Sequence, residues 1–211
     1  GHSGGDYGKG GDLLYRWGNP QAYDCGAAND QMFFGQHDVR WIHEGYLGEG
    51  MIMVYNNGTN RPGGNYSTID AFIPAVDSLG NYTMTPGSAC PPTTLSWQYT
   101  APTPTDLYSG SISGAERLSN GNTLICEGNS GHFFEVDSNG VTVWDYISPV
   151  SIFGPMTQGE TPGGIPPSGR PNDVFRCKRY PTDYSGLATY DLTPGDPIEL
   201  NPIAYSCTIF S

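Results

Sequence analysis

The 211 residues include 30 Gly and 18 Pro, with 36% apolar, 12% aromatic and only 14% charged residues. This composition excludes a disordered chain and leaves little material for surface helices. The net charge of −12 disfavours nucleic acid as a partner, and no apolar run approaches the roughly 20 residues of a membrane-spanning helix. We therefore expect an all-β, turn-rich protein that is extracellular or periplasmic.

Short apolar runs alternate with turn signals from the start of the chain. Residues 10–20 carry an outer-strand signature and predict the end of one four-stranded unit. The pattern at residues 33–102 predicts a complete four-stranded unit with an insertion at 84–94. Its four predicted strands are 36–42, 50–58, 68–72 and 95–99.

The clearest unit is predicted at residues 109–149. Turns at 119–121 and 137–140 contain Asn-Gly pairs, whose residues tolerate positive φ and favour hairpins. The predicted strands are 111–118, 122–128, 132–136 and 141–146. Four strands in a meander of about 40 residues match one antiparallel blade of a β-propeller.

The rest of the chain predicts only part of a further blade. Residues 150–171 are rich in Gly and Pro and predict a long loop, and residues 172–211 predict a partial blade. The chain would then cover about half of a propeller ring, which cannot close and protect its sheet edges. We expect the remaining blades from further sequence of the same chain or from another chain, as in a homo-oligomer or an extracellular assembly.

Two neighbouring motifs carry a family resemblance. Residues 34–41, Phe-Gly-Gln-His-Asp-Val-Arg-Trp, are followed at 54–61 by Val-Tyr-Asn-Asn-Gly-Thr-Asn-Arg. This pattern resembles the arylsulfotransferase (aryl-sulfate sulfotransferase) family, and the resemblance extends over roughly residues 5–195. It implies the C-terminal part of a secreted or periplasmic propeller of about six blades. The implied reaction moves a sulfuryl group from an aryl sulfate to a phenol, with no metal, cofactor or nucleotide sulfate donor.

Four residues are candidates for the site. The resemblance implies that His37 is the nucleophile that becomes transiently sulfated, and neutral imidazole is a good nucleophile near pH 7. Asn57 and Arg61 are candidates to position the donor sulfate, and Arg117 is a candidate to reach the same channel from the next blade. Each has a structural alternative: His37 as a channel-lining residue, Asn57 as part of an ordinary turn. The family's site also uses His and Arg residues from earlier blades.

The cysteines bear on metals and on the compartment. Five widely spaced cysteines without a Cys-x-x-Cys pair argue against zinc. Because Cys126 lies in an apolar run, we expect its thiol to be buried. We expect one or two disulfides among the remaining four, which are Cys25, Cys90, Cys177 and Cys207.

A second hypothesis is that the protein is a non-catalytic propeller. The Gly/Pro loops, the low charge and the partial ring are also typical of a secreted propeller that binds a ligand or builds an extracellular assembly. Native mass spectrometry or an imaged assembly separates the two hypotheses, since a closed monomer with a polar central pocket counts against an assembly.

Overall fold

The computed structural model describes residues 2–6, 8–160 and 172–202, and within these ranges the protein is all-β. Its strands form two four-stranded antiparallel sheets and one short hairpin, and its helical turns are 3-10 turns of three or four residues. The backbone separates into two compact units, 1–110 and 111–211. The expected all-β class with four-stranded antiparallel sheets is confirmed. In the described ranges, no helix has the length and apolar character needed to cross a membrane.

The first sheet is a meander in which consecutive strands are neighbours. Its strands are β1 (His37–Trp41), β2 (Ile52–Asn56), β3 (Thr68–Phe72) and β4 (Trp97–Tyr99). All five residues of β3 are buried, and only Ile52 of β2 is partly exposed. The central strands are therefore covered on both faces, which suits their β-branched and aromatic residues.

A carboxylate is buried inside this sheet. Asp70 on β3 is 1% exposed, and its two oxygens accept hydrogen bonds from Asn56 Nδ2 and Gln98 Nε2, each at 2.8 Å. Burial raises the pKa of Asp70 although these donors oppose the shift. Asn56 Oδ1 also accepts from the Phe34 N–H at 2.9 Å, and Asn56 Nδ2 donates to the Met32 carbonyl at 2.9 Å. The network thus fixes the segment that leads into β1.

Residues 10–20 contain no strand, unlike the predicted blade end. They form irregular chain that runs into the 3-10 turn Pro20–Tyr23. The Trp17 indole stacks on Phe72 with ring centroids 4.0 Å apart and meets Phe33 edge-on at 4.9 Å. The apolar pattern of this segment therefore serves side-chain packing against the first sheet rather than strand pairing.

The insertion at 84–94 is anchored by a disulfide between Cys25 and Cys90. Their Cα atoms lie 5.3 Å apart, and the Cys90 N–H donates to the Cys25 carbonyl at 3.1 Å. This pair confirms the expectation of a disulfide among these cysteines. The cross-link joins positions 65 residues apart and ties the insertion to the turn before the first sheet.

The second sheet repeats the meander. Its strands are β5 (Gly114–Arg117), β6 (Thr123–Glu127), β7 (His132–Val136) and β8 (Thr142–Ile147). Gly121 and Gly140 adopt φ of 88° and 79°, as the Asn-Gly turns predicted. All six residues of the edge strand β8 are exposed. Neither four-stranded sheet closes on itself, so what is established is two separate meanders.

The predicted loop at 150–171 begins with a hairpin. It is formed by β9 (Val150–Ser151) and β10 (Gly154–Pro155). Residues 161–171 of this predicted loop lie outside the described ranges.

Residues 172–202 contain no strand, which differs from the partial blade predicted for 172–211, of which 203–211 lie outside the described ranges. The Val174 N–H donates to the Gly128 carbonyl, and the Ser113 N–H donates to the Phe175 carbonyl, both at 2.9 Å. These bonds attach the segment to the connections around β5 and β6. They do not repeat along the chain as a strand ladder would.

Candidate functional site

His37 begins β1 at the point where the neighbouring strand β2 ends. Its backbone lies opposite Tyr55, and Asn57 directly follows the last residue of β2. Because antiparallel strands run past each other, the start of one strand meets the end of the other. A register shift follows His37, and Asp38 adopts a φ of 55°, which marks a bulge. The local fold thus brings together two candidate side chains that are 20 residues apart.

The His37 ring is held through one nitrogen. Nδ1 lies 2.8 Å from Asn57 Oδ1 and 3.0 Å from the Gly35 carbonyl oxygen. Both partners are acceptors, so Nδ1 carries the proton and donates to them. In the neutral ring the lone pair is then on Nε2, and no described residue hydrogen-bonds to that nitrogen. A half-exposed imidazole in this tautomer can act as a nucleophile or as a general base at Nε2.

Asn57 is itself fixed from behind. The side chain is fully buried, and Nδ2 donates to the Ser109 carbonyl at 2.7 Å. This bond directs the amide oxygen towards His37 and so settles the orientation of the amide. Ser67 Oγ donates to the Asn57 carbonyl at 2.9 Å and accepts from the Ser109 N–H at 3.1 Å. The acceptor that orients His37 is therefore anchored in a buried hydrogen-bond network.

The turn after Asn57 requires glycine. Gly58 has a φ of 75°, and its N–H donates to the Phe34 carbonyl at 2.8 Å. A Cβ at this position would overlap the carbonyl oxygen of Tyr66. The Asn-Gly sequence is thus demanded both by the backbone conformation and by a close approach of two chain segments.

Arg61 lies on the same turn but makes different contacts. Its guanidinium lies over the Tyr66 ring at 4.3 Å and is 5.9 Å from the Phe34 ring centroid. Nη2 donates to Thr68 Oγ1 at 3.1 Å. No described hydrogen bond joins Arg61 to His37 or Asn57. The structure therefore brings His37 and Asn57 into contact and places Arg61 in an aromatic setting beside them along the turn.

Arg117 lies in the second unit, on β5. The residue is 4% exposed, and Nη1 donates to the Gly121 carbonyl at 3.1 Å across the turn between β5 and β6. Burial lowers the pKa of this guanidinium. Arg117 therefore stabilises the hairpin formed by β5 and β6.

A second histidine is enclosed by acids. His132 Nε2 donates to Asp145 Oδ2 at 2.7 Å, and Nδ1 lies 3.4 Å from Glu127 Oε2. The hydrogen bond with Glu127, followed by the smaller effects of Asp145, raises the pKa of His132 despite burial. Among the described residues, no three His, Cys, Asp or Glu side chains are arranged to hold a metal ion. We interpret His132 as a structural residue that connects β7 to its two neighbouring strands through these contacts.

Sequence reasoning did not find the residues that support Asn57. Ser67 and Ser109 lie 10 and 52 residues after it along the chain and carry no motif. Ser109 acts through its backbone carbonyl, which any residue type would supply. Only the folded structure brings this acceptor to the buried amide.

Comparisons of the chain with protein-family models, curated proteins and solved structures give no match. The functional argument consequently rests on the residues themselves. Their central feature is a histidine whose tautomer is set by a buried asparagine.

Proposed function

We propose that this chain is part of an arylsulfotransferase-like enzyme in which His37 is the nucleophile. The observation that carries the proposal is the orientation of the ring. Nδ1 donates to Asn57 Oδ1 and to the Gly35 carbonyl, which leaves the lone pair on Nε2. The resemblance of residues 34–41 and 54–61 to arylsulfotransferases supplies the reaction class.

The proposed reaction has two displacements at sulfur. His37 Nε2 attacks the sulfur of an aryl sulfate, the N–S bond forms, and the bond from sulfur to the aryl oxygen breaks. The phenolate leaves with the electron pair and takes a proton from water. The oxygen of an acceptor phenol, having lost its proton to solvent, then attacks the sulfur, and the N–S electron pair returns to Nε2. Each step transfers one SO₃ group.

Asn57 favours the first displacement through Nδ1. The ring becomes cationic when Nε2 is sulfated, and the Nδ1–H bonds to Asn57 and Gly35 strengthen as that charge develops. Arg61, on the same turn, is the proposed contact for the donor sulfate because a guanidinium matches the oxygens of such an anion. For Arg117, burial and the bond to Gly121 favour the structural alternative.

The fold fits the proposal at a coarser level. Two four-stranded antiparallel meanders have the strand order of propeller blades. We propose a ring of about six blades, with the others supplied by the same or another chain. The Cys25–Cys90 disulfide favours a secreted or periplasmic location, because such bonds persist in oxidising compartments.

The test is turnover of 4-nitrophenyl sulfate by the complete protein with a phenol acceptor. We expect His37→Ala to abolish release of 4-nitrophenol and His43→Ala, which removes an exposed ring, to preserve it. Mass spectrometry of the quenched protein should show one SO₃ group on the peptide that contains His37. Equal turnover by the wild type and His37→Ala would overturn the mechanism.

A non-catalytic binding or assembly role is the second candidate. The observation in its favour is the edge strand β8, in which every residue is exposed, because an open edge offers backbone groups to another strand. Native mass spectrometry of the complete protein tests this candidate. A closed monomer would count against assembly.

A further inference from the structure

One face of the second sheet carries an aromatic cavity of about 380 Å³. Phe133 on β7 lies opposite Tyr146 on β8, and Trp144 is two residues before Tyr146, so all three project from the same face. The Trp144 and Tyr146 ring centroids are 5.8 Å apart with planes 12° from parallel, and those of Phe133 and Tyr146 are 5.9 Å apart at 26°. Together they form one aromatic wall of offset, nearly parallel rings.

Basic residues also line the cavity. Lys178 and Arg179 line it, within the run Arg-Cys-Lys-Arg at 176–179. This run holds three of the nine Lys and Arg residues of a chain whose net charge is −12. Basic residues are thus concentrated beside the aromatic wall of an otherwise acidic protein, and an anion would recognise them.

A carboxylate on this face is already neutralised. Glu135 is buried between the strands and forms an ion pair with Arg179. Its Oε1 also accepts from Asn122 Nδ2 at 2.6 Å and from Asn120 Nδ2 at 3.2 Å. Lys178 makes no ion pair with any described residue. Among the described residues, those that line the cavity include two cations and no carboxylate.

The aromatic wall is open to a ligand. Trp144 and Tyr146 are 43% and 44% exposed, although large aromatic side chains gain most free energy when covered. The cavity volume falls within the range of about 300–1,000 Å³ that is typical of small-molecule sites. A planar ligand that packs against the exposed parts of the two rings would cover both of them.

We propose that this cavity binds a small aromatic anion, an arene that carries a sulfonate, sulfate or carboxylate group. The arene packs against Trp144 and Tyr146, and the anionic group pairs with Lys178. All of these residues belong to the second unit, so the site is distinct from His37 and does not depend on the proposed function. The negative charge distinguishes this ligand from an uncharged arene, because Lys178 would form no ion pair with the latter.

The test is isothermal titration calorimetry of the whole chain with naphthalene-2-sulfonate. Naphthalene-2-sulfonamide keeps the ring without the charge, and methanesulfonate keeps the charge without the ring. We expect the sulfonate to bind about tenfold more tightly than the sulfonamide, methanesulfonate to give no heat, and affinity to fall with added salt. Equal affinity for the sulfonate and the sulfonamide overturns the proposal.

Variants locate the probe. Lys178→Gln should weaken sulfonate binding about fivefold, whereas Lys9→Gln, which removes the same charge elsewhere, should not change it. Trp144→Leu should weaken binding about tenfold and Trp144→Phe much less, because the second keeps an aromatic face. Lys178 is exposed, so its replacement keeps the test decisive even if Trp144→Leu does not fold. Unchanged affinity in Lys178→Gln, or loss of binding in His37→Ala, overturns the assignment.

Discussion

His37 Nδ1 donates a hydrogen bond of 2.8 Å to Oδ1 of Asn57, a buried side chain that follows the neighbouring strand. The bond fixes which ring nitrogen carries the proton and therefore which nitrogen is free to react. Asn57 can play this part because its own Nδ2 is held by the Ser109 carbonyl. The chemistry available at His37 is thus set by a residue that solvent does not reach.

Replacement of Asn57 should change the tautomer of His37. In Asn57→Ala the Nδ1–H keeps only the Gly35 carbonyl as acceptor, so we expect the fraction of the neutral ring protonated at Nε2 to rise. Two-bond ¹H–¹⁵N correlation spectra of the imidazoles measure this fraction directly. His43, an exposed ring that packs edge-on against Tyr46, serves as the control within the same spectrum.

Stability gives a second readout for the same variant. Loss of the Asn57 amide leaves the buried Ser109 carbonyl without this donor, so the free energy of unfolding should fall by about 1–3 kcal/mol. A spectrum in which His37 keeps the wild-type tautomer while stability falls would show that Asn57 has a structural role only.

Gly58→Ala should be far more costly than an ordinary change of a turn glycine. The new Cβ would overlap the Tyr66 carbonyl oxygen, so the turn must move. We expect a loss of about 3 kcal/mol or more in urea unfolding. Gly63→Ala is the matched control, since Gly63 has a φ of 91° but open space around it, and should lose only about 1–2 kcal/mol. Equal losses in the two variants would mean that backbone conformation alone makes glycine necessary.

The sequence correctly predicted the strands that lie between strong turn signals. It wrongly predicted a strand where an alternating segment uses its apolar side chains for packing and its backbone pairs with no other strand. Asn-Gly turns located β5 to β8 because such turns depend on local φ preferences. Residues 10–20 have the same alternation as a strand, yet Trp17 uses it to pack on Phe72. Alternation records which side chains are buried, not what the backbone pairs with.

Of the candidate site, only the part formed by neighbouring strands could be predicted from the sequence. The motif placed His37 and Asn57 on consecutive strands, and antiparallel pairing makes their contact a natural outcome. The support from Ser67 and Ser109 was not predictable, since backbone carbonyls and distant hydroxyls leave no sequence signature. The aromatic cavity was missed for a related reason: Phe133 and Tyr146 meet only through strand register.

Removal of the disulfide should destabilise the first unit. Cys25 and Cys90 are 65 residues apart, and a cross-link of that span restricts the unfolded chain by about 4 kcal/mol in the chain-entropy account. We expect the double variant Cys25→Ser/Cys90→Ser to lose about 2–4 kcal/mol in urea unfolding. The comparison is wild type with and without reductant, which should reproduce the loss, whereas reductant should not affect the double variant. A double variant as stable as the oxidised wild type would contradict this role.

His132 should make stability depend on pH. Its hydrogen bonds with Glu127 and Asp145 raise the pKa above the ordinary value of 6.5, so folding favours the protonated ring. That contribution is complete below the unfolded-state pKa and disappears as the pH rises through the raised folded-state pKa. We therefore expect the stability advantage of wild type over His132→Gln to be larger at pH 5.5 than at pH 8.5. Urea unfolding at both values measures it, and His43→Gln is the control because the His43 ring contacts Tyr46 rather than an acid. An equal stability advantage at both pH values would mean that protonation of His132 contributes nothing and that the neutral ring provides all of the stabilisation.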